Sequence, residues 1–323
     1  MFMNHPKVTA IVACYNHARF VPEALNSVKA QDYPSIELVV MDDCSKDNSV
    51  AVIQEWLKQN WPEATLIAHK TNVGVCRTLN DALRHAHGKY IRLLAADDVW
   101  LPQTLGGQVE LMEESSAEVG VVYSDVYTMN ESGETLQEMF IASHRKAQGI
   151  LDGWLFETLL QSNFIPAMTA LIRRSCFEAV GTYDESLAFE DWDMWLRISH
   201  EFRFRYYPEA TARYRIVGTS MMRTMSGQIL ESRNKILIKC LRQGWLTGKI
   251  KEAAIYHQNQ AAWKACQEGG PKKLAQAAEA LRWKITPKNL LLFLRVLLGV
   301  PYGLCIKLLG NVQPLRPHDE TPV

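Results

Sequence analysis

Apolar positions along this chain follow two alternating rhythms. Residues 7–16 (KVTAIVACYN), 36–43 (IELVVMDD), 64–70 (ATLIAHK) and 89–98 (KYIRLLAADD) are short apolar runs, most of them ending on polar side chains. Such runs predict strands buried on both faces. Between them, residues 20–31 (FVPEALNSVKAQ), 45–59 (SKDNSVAVIQEWLKQ) and 77–87 (RTLNDALRHAH) place apolar side chains at helical spacing. Pro22 stands near a helix start, where its missing N–H is tolerated. Ser, Asp and Asn side chains offer caps to the second helix, and Gly88 reads as the stop of the third. The order βαβαβαβ predicts a parallel sheet with helices on both faces.

From about residue 101 the rhythm loosens. Residues 118–130 (EVGVVYSDVYTMN) predict a further strand, and 134–140 (ETLQEMF) a connection or hairpin. Residues 154–165 read as helix, and 168–181 as a strand turning into a helix. Residues 190–201 (EDWDMWLRISHE) form an amphipathic helix with acids in its first turn, and 203–216 (RFRYYPEATARYRI) a strand and turn. After residue 224 the pattern is helical almost to the end, where 313–323 (QPLRPHDETPV) reads as a disordered tail.

In a sheet of this kind ligands bind beyond the carboxyl ends of the strands. That rule places Tyr15, Asn16, Asp42, Asp43, Asp97 and Asp98 along one edge. Two adjacent carboxylates repel unless a cation or proton sits with them, so Asp97-Asp98 is a candidate site for Mg²⁺ or Mn²⁺ on a substrate diphosphate. The plainer alternative is that Asp98 caps a helix over 101–113. Asp42-Asp43 has the same two readings: an acid for a base N–H or ribose hydroxyls, or a cap. Glu190-Asp191 opens a helix, where the dipole favours acids, but a carboxylate there also suits a general base. Trp192 is either a platform for a sugar ring or a core residue. The stretch 71–81 (TNVGVCRTLND) carries Asn72, Gly74 and Arg77 after a strand, with a glycine that lets backbone approach a ligand.

Composition narrows the alternatives. Of 323 residues, 47% are hydrophobic and 22% charged, ordinary for a globular protein, and the formal net charge is zero, so no attraction to nucleic acid is implied. The charge is uneven: residues 226–323 carry 15 Lys and Arg against 6 Asp and Glu, and residues 1–225 carry 20 against 29. Seven scattered cysteines form no CxxC pair, which fits a reducing compartment and no zinc site. No signal peptide is read at the N-terminus. No GxGxxG or GxxxxGK[ST] occurs, which argues against a dehydrogenase and a P-loop ATPase, and no GxSxG, HExxH or kinase motif appears. His85 and His87 read as solvated helix residues.

Taken in order, residues 8–49, 72–98, 181–198 (GTYDESLAFEDWDMWLRI) and 214–222 (YRIVGTSMM) resemble family 2 glycosyltransferases with the GT-A fold. The resemblance spans roughly residues 7–223. It implies an α/β, Rossmann-like, mostly parallel central sheet flanked by helices: a catalytic domain over 1–225, with a nucleotide-binding half to about 100 and an acceptor half beyond it. A helical C-terminal region, 226–323, follows. It further implies Ala13 and Tyr15 against the nucleotide, Asp43 on uracil or its equivalent, and Arg77 near the nucleotide. Asp97 would face the donor's ribose or sugar, Asp98 would hold Mg²⁺ or Mn²⁺, and Asp191 would be the base, with Glu190 beside it. The donor would be a nucleotide-sugar, most often of UDP, and the acceptor a glycan or lipid-linked hydroxyl in surface polysaccharide synthesis. Two departures stand out: the acids end AADD rather than a DxD or SDD-like tripeptide, and no histidine follows Tyr214-Arg215.

Residues 286–310 (TPKNLLLFLRVLLGVPYGLCIKLLG) are the most apolar part of the chain, but Arg295, Pro301 and Lys307 interrupt them. With Lys284 and Lys288 nearby, the segment reads as an interfacial helix on the inner face of the cytoplasmic membrane, or as a hairpin packed on protein. Two rival functions remain: a nucleotidyltransferase, which would bring a glycine-rich loop after the first strand, and a catalytically silent nucleotide-sugar-binding scaffold, which has no need of Asp98 or Asp191.

Overall fold

The computed structural model describes residues 5–137, 139–144, 151–218, 226–248, 250–252 and 254–255. The chain divides into two compact units, Met1–Ser232 and Arg233–Val323. The first is built on a nine-stranded sheet. Its strands are β1 (Val8–Cys14), β2 (Ile36–Asp42), β3 (Thr65–Ala68), β4 (Tyr90–Ala95), β5 (Val99–Trp100), β6 (Val119–Met129), β7 (Thr135–Gln137), β8 (Leu171–Arg173) and β9 (Arg203–Arg215). They lie in the order β3-β2-β1-β4-β8-β6-β9-β5, with β7 folded back on β6 as a hairpin.

The predicted βαβαβαβ half is present as read. Strands β1 to β4 are parallel, and Ala13 sits in register between Met41 and Ala95. β8 then enters antiparallel between β4 and β6, β9 runs parallel to β6, and β5 closes antiparallel on β9. Strands β1, β2, β4, β6 and β9 therefore end at one edge. The expected turn in residues 203–216 is absent as a break. β9 is one long strand whose pairing with β6 jumps from Ser124↔Tyr207 to Val126↔Ala212, so the extra residues bulge.

Helices α1 (Val21–Lys29), α2 (Ser49–Asn60) and α3 (Val75–Arg84) cover the parallel half. Val21, Leu25 and Val28 of α1 and Ile53, Trp56 and Leu57 of α2 share one apolar cluster with Ala10, Val12, Leu38 and Val40 of the sheet. α4 (Leu105–Glu114) packs through Leu105, Val109 and Met112 on Val8, Tyr90, Val122 and Leu171. Further along come α5 (Phe140–His144), α6 (Phe156–Gln161), α7 (Arg174–Val180), α8 (Asp191–Glu201) and α9 (Ser226–Arg242), the last ending within the second unit. α3 stops at Arg84, before Gly88. That glycine serves a different end: a Cβ there would stand 2.5 Å from the backbone nitrogen of Thr9, so close passage over β1 requires its absence. His87 lies beyond the helix and pairs with Glu37 at 2.9 Å.

Among the described residues no helix is long and apolar enough to cross a membrane. The predicted interfacial segment 286–310 and the tail 313–323 lie outside the described residues.

Candidate functional site

The loops that follow β1 and β2 are laced together at the shared edge. Asn16 and Cys44, the second residues after those strands, adopt φ of 58° and 62°. Non-glycine residues seldom occupy this left-handed region, and such strain gathers at functional sites. The backbone N–H of Asn16 donates to Ser45 Oγ (2.8 Å), that of Lys46 to Asn16 Oδ1 (2.7 Å), and that of Ala18 to Asp47 Oδ2 (3.0 Å). Tyr15 stands exposed at the lip of this cradle, and Ala13 is half-buried beneath it.

Asp42 and Asp43 do not cap α2. Asp42 accepts from the Ser45 N–H and hydroxyl at 2.8 and 2.6 Å. Asp43 is 5% exposed, and its carboxylate gathers the loop before α3. Oδ1 accepts from Val73 N (2.8 Å) and lies 3.1 Å from His69 Nδ1, while Oδ2 accepts from Gly74 N (2.9 Å). Gly74 turns its N–H inward at φ 88°, a conformation that favours glycine. Asn72 Nδ2 donates to the Asp43 carbonyl at 3.1 Å, so Asn72 fastens the same loop. Arg77, in the first turn of α3, is exposed and makes no ion pair among the described residues.

Asp97 and Asp98 follow β4 in a tight turn. Asp98 does not cap a helix either: α4 begins at Leu105, and Asp98 is 2% exposed with Oδ1 accepting from the Arg215 N–H at 2.8 Å. Burial, then the charge of Asp97, holds the Asp98 carboxyl well above the ordinary carboxylate range. Asp97 stays half-buried, with His17 Nδ1 3.8 Å from its Oδ2. That His17 nitrogen is buried and has no hydrogen-bond partner among the described residues.

Arg215, at the end of β9, straps this turn down. Its Nε donates to the Asp97 carbonyl (2.8 Å), Nη1 to the Asn130 and Glu131 carbonyls (3.3 and 3.2 Å), and Nη2 to Glu23 Oε2 (2.6 Å). Its guanidinium also stacks on Phe20, 4.7 Å from the ring centre. Sequence reasoning noted Arg215 only as the neighbour of a missing histidine. An arginine that ends a long strand of alternating side chains was the available signal. Arg215→Met keeps the stem and removes the donors. Stability is expected to fall by about 3 kcal/mol, because several carbonyls lose their partner at once. Urea unfolding reads this, and an unshifted midpoint would show that the strap carries no weight.

Glu190 and Asp191 stand at the N-terminus of α8. Asp191 accepts from Asn163 Nδ2 at 2.9 Å and from the Trp192 N–H at 2.6 Å. Burial, then the charge of Asp191, pushes the Glu190 carboxyl up to about 7. Both acids lie close enough to α3 for their charges to raise the Cys76 thiol, after burial itself. The end of β4 thus carries one acid pair, Asp97-Asp98, while the second pair, Glu190-Asp191, lies by α3, whose entry is held by Asp43. Trp192 departs from the platform reading. It is 6% exposed and its indole N–H donates to the Leu159 carbonyl at 2.6 Å, so it belongs to the core.

No group of three or more His, Cys, Asp and Glu that would cage a metal occurs among the described residues. Asp97 and Asp98 supply oxygen donors only, and the buried, like-charged Asp98 is a carboxylate that gains from a cation beside it. That set fits Mg²⁺ or Mn²⁺ held by one or two carboxylates together with substrate phosphates.

The model of Glycosyl transferase family 2 matches residues 9–181. An uncharacterized glycosyltransferase of Rickettsia prowazekii is 27% identical over 251 residues, which is 77% of this chain and 74% of that protein. The putative glycosyltransferase EpsE of Bacillus subtilis is 28% identical over 214 residues, 65% of this chain and 73% of its own. Among solved structures, a mannosyltransferase from Pyrobaculum calidifontis, in complex with GDP-Man and Mn²⁺, superposes with TM-score 0.59 at 21% identity. It covers 93% of this chain and 82% of that one. S. aureus TarS in complex with UDP-GlcNAc gives 0.57 at 17%, covering 90% and 79%. These likenesses show the fold, a GT-A glycosyltransferase sheet.

Proposed function

Because the chain belongs to glycosyl transferase family 2, we propose that it moves a sugar from a nucleotide-diphosphate donor to a hydroxyl of a glycan or lipid-linked acceptor, with inversion at the anomeric carbon. The observation that carries this reading is Asp98, a buried acid crowded by Asp97 just past the end of β4, and the Glu190-Asp191 pair at the start of α8 supports it as a candidate base. The similar structures hold GDP-Man with Mn²⁺ and UDP-GlcNAc, which supports a nucleotide-sugar donor here.

In this reading Ala13 and Tyr15 border the nucleotide. Asp43 meets the base, Asn72 fastens the loop beside it, and Arg77 lies exposed near the nucleotide. Asp97 faces the donor's ribose or sugar. Asp98, with the donor diphosphate, holds Mg²⁺ or Mn²⁺, which when bound neutralises the leaving group's charge. Asp191 takes the acceptor hydroxyl's proton, and one in-line attack needs no protein nucleophile. Asn163 fixes the Asp191 carboxylate for this task. Residues 1–225 form the catalytic part, and the basic, apolar segment 286–310 favours an acceptor presented at a membrane surface.

The pH profile follows from Glu190. Its carboxyl, raised to about 7, keeps a proton on the Glu190-Asp191 pair below that pH. That proton rests on Glu190 and leaves Asp191 as the base; the charge Glu190 gains above about 7 makes its neighbour a stronger base, so kcat/KM rises with pH through about 7 and then levels. The test is release of nucleoside diphosphate from UDP-glucose, UDP-GlcNAc and GDP-mannose with Mn²⁺ and glycan acceptors, across pH 5–9. Acceptor-dependent release with this profile, its inflection displaced in Glu190→Gln, supports the reading. A flat profile contradicts the role of the pair.

A further inference from the structure

We propose that His69 is the positioning residue that sets the Asp43 carboxylate for the donor's base, through its Nδ1 rather than its Nε2. The inference rests on the donor-site reading above and extends it to a residue outside the site's acids. His69 lies just beyond β3, its side chain 12% exposed. Its backbone N–H donates to the Asp42 carbonyl at 2.8 Å, which fixes the loop to the end of β2. Its ring then spans two carboxylates: Nδ1 is 3.1 Å from Asp43 Oδ1, and Nε2 is 3.0 Å from Asp81 Oδ2 on α3. Asp81 is itself paired with Arg84, one turn further on.

A carboxylate has about four acceptor positions across its two oxygens. On Asp43, the Val73 N–H and His69 take two on Oδ1, and the Gly74 N–H takes one on Oδ2. The remaining acceptor position is on Oδ2. Which way it faces depends on the rotation of the carboxylate about its last bond. The Val73 and Gly74 N–H groups come from the backbone that enters α3, whereas His69 comes from the end of β3 and is bound through its backbone to the Asp42 carbonyl. His69 is therefore the side-chain contact that holds this carboxylate from the strand side as well as from the helix entry. Asp81 acts one step further back, by holding the ring.

The two nitrogens separate experimentally. Asparagine places an amide N–H near the position of Nδ1, and glutamine near that of Nε2. If the Asp43 contact sets the carboxylate, His69→Asn keeps most of the function and His69→Gln loses it, although glutamine preserves the link to α3. The experiment is calorimetric titration, with Mn²⁺, of whichever of UDP, GDP and dTDP the wild-type protein binds most tightly, with melting temperatures recorded for each variant. The expected order is wild type and His69→Asn within about threefold, and His69→Gln and His69→Ala about tenfold weaker, the size of one oriented hydrogen bond to a charged group. Asp81→Asn is expected to weaken binding less, and His69→Ala with Asp81→Asn to be no weaker than His69→Ala alone, because both act through one ring.

In turnover the loss falls on donor KM, with kcat unchanged. Equal binding by the asparagine and glutamine variants overturns the proposal, as does additivity of the double variant or a loss that only tracks melting temperature. If the wild type binds none of the three nucleotides, the donor-site reading fails and this inference fails with it. If the wild type binds and the order is absent, only the inference fails.

Discussion

Asp191→Asn is expected to lower sugar transfer about a thousandfold while leaving nucleotide affinity and melting temperature close to those of the wild type. The rate falls because an amide cannot take the acceptor's proton, and general base catalysis contributes on the order of a hundred- to ten-thousandfold. Binding persists because Asp191 sits at the start of α8, on a different element from Asp97 and Asp98 at the end of β4. Stability persists because the amide oxygen still accepts from Asn163 or from the Trp192 N–H. The measurement is initial rate of nucleoside diphosphate release beside a nucleotide titration. A fully active variant would remove Asp191 from the base role, and a variant that also fails to bind nucleotide would place it in the donor site.

Asp98→Asn carries the second large effect, and it has two opposite signs. In the metal-free protein the Asp98 carboxyl is raised well above its ordinary value by burial and by Asp97. An acid whose folded pKa lies above its unfolded value holds its proton more tightly when folded. Its contribution to stability is complete below the unfolded pKa and declines as pH rises toward the folded one. At pH 8 the metal-free wild type therefore bears a cost that asparagine removes, while the amide oxygen still accepts from the Arg215 N–H. The variant is expected to melt higher than the wild type at pH 8, with the difference closing toward pH 4. Its Mn²⁺-dependent activity is expected to fall by at least about a hundredfold, the order of a lost electrostatic stabiliser of the leaving group. Melting curves at both pH values and rates at saturating Mn²⁺ read the two signs. A variant less stable at pH 8 would show that Asp98 is not the strained partner of this pair.

The parallel half of the fold was legible because each strand is a continuous apolar run that ends on polar groups, and each helix repeats its apolar side chains at 3.6 residues. The edge on which the acids meet was legible for the same reason, since parallel strands all finish on one side. Residues 168–181 read as a strand turning into a helix, as found, but the insertion of β8 between β4 and β6 was not legible, because nothing in the three residues Leu171–Arg173 sets their pairing partners. The bulge of β9 read as a turn because Pro208 and Glu209 resemble one locally, and only pairing with β6 keeps the strand continuous.

Within the site, residue identity told more than residue orientation. Asp43 and Asp98 were recognisable as special, but nothing in the chain showed that one is turned to Val73 and Gly74, or that the other is nearly sealed by Arg215. Trp192 could be core or platform from its helical position. The Leu159 carbonyl that takes its N–H decides for the core, and that carbonyl is 33 residues away in sequence. His69 and Arg215 gave least warning, because their partners lie on other elements: His69 reaches Asp81 twelve residues on, and Arg215 reaches Glu23 across 192 residues.

The central claim is that Asp98 and a divalent cation together form the donor site. Calorimetric titration of UDP, GDP and dTDP into the wild type and Asp98→Asn, each with and without Mn²⁺, tests it most directly. The account predicts that one nucleotide binds selectively, that Mn²⁺ strengthens its binding to the wild type at least about tenfold, and that Asp98→Asn binds it equally weakly with or without the metal. Nucleotide binding that is indifferent to Mn²⁺ in the wild type, or strengthened by it equally in both proteins, would contradict the account.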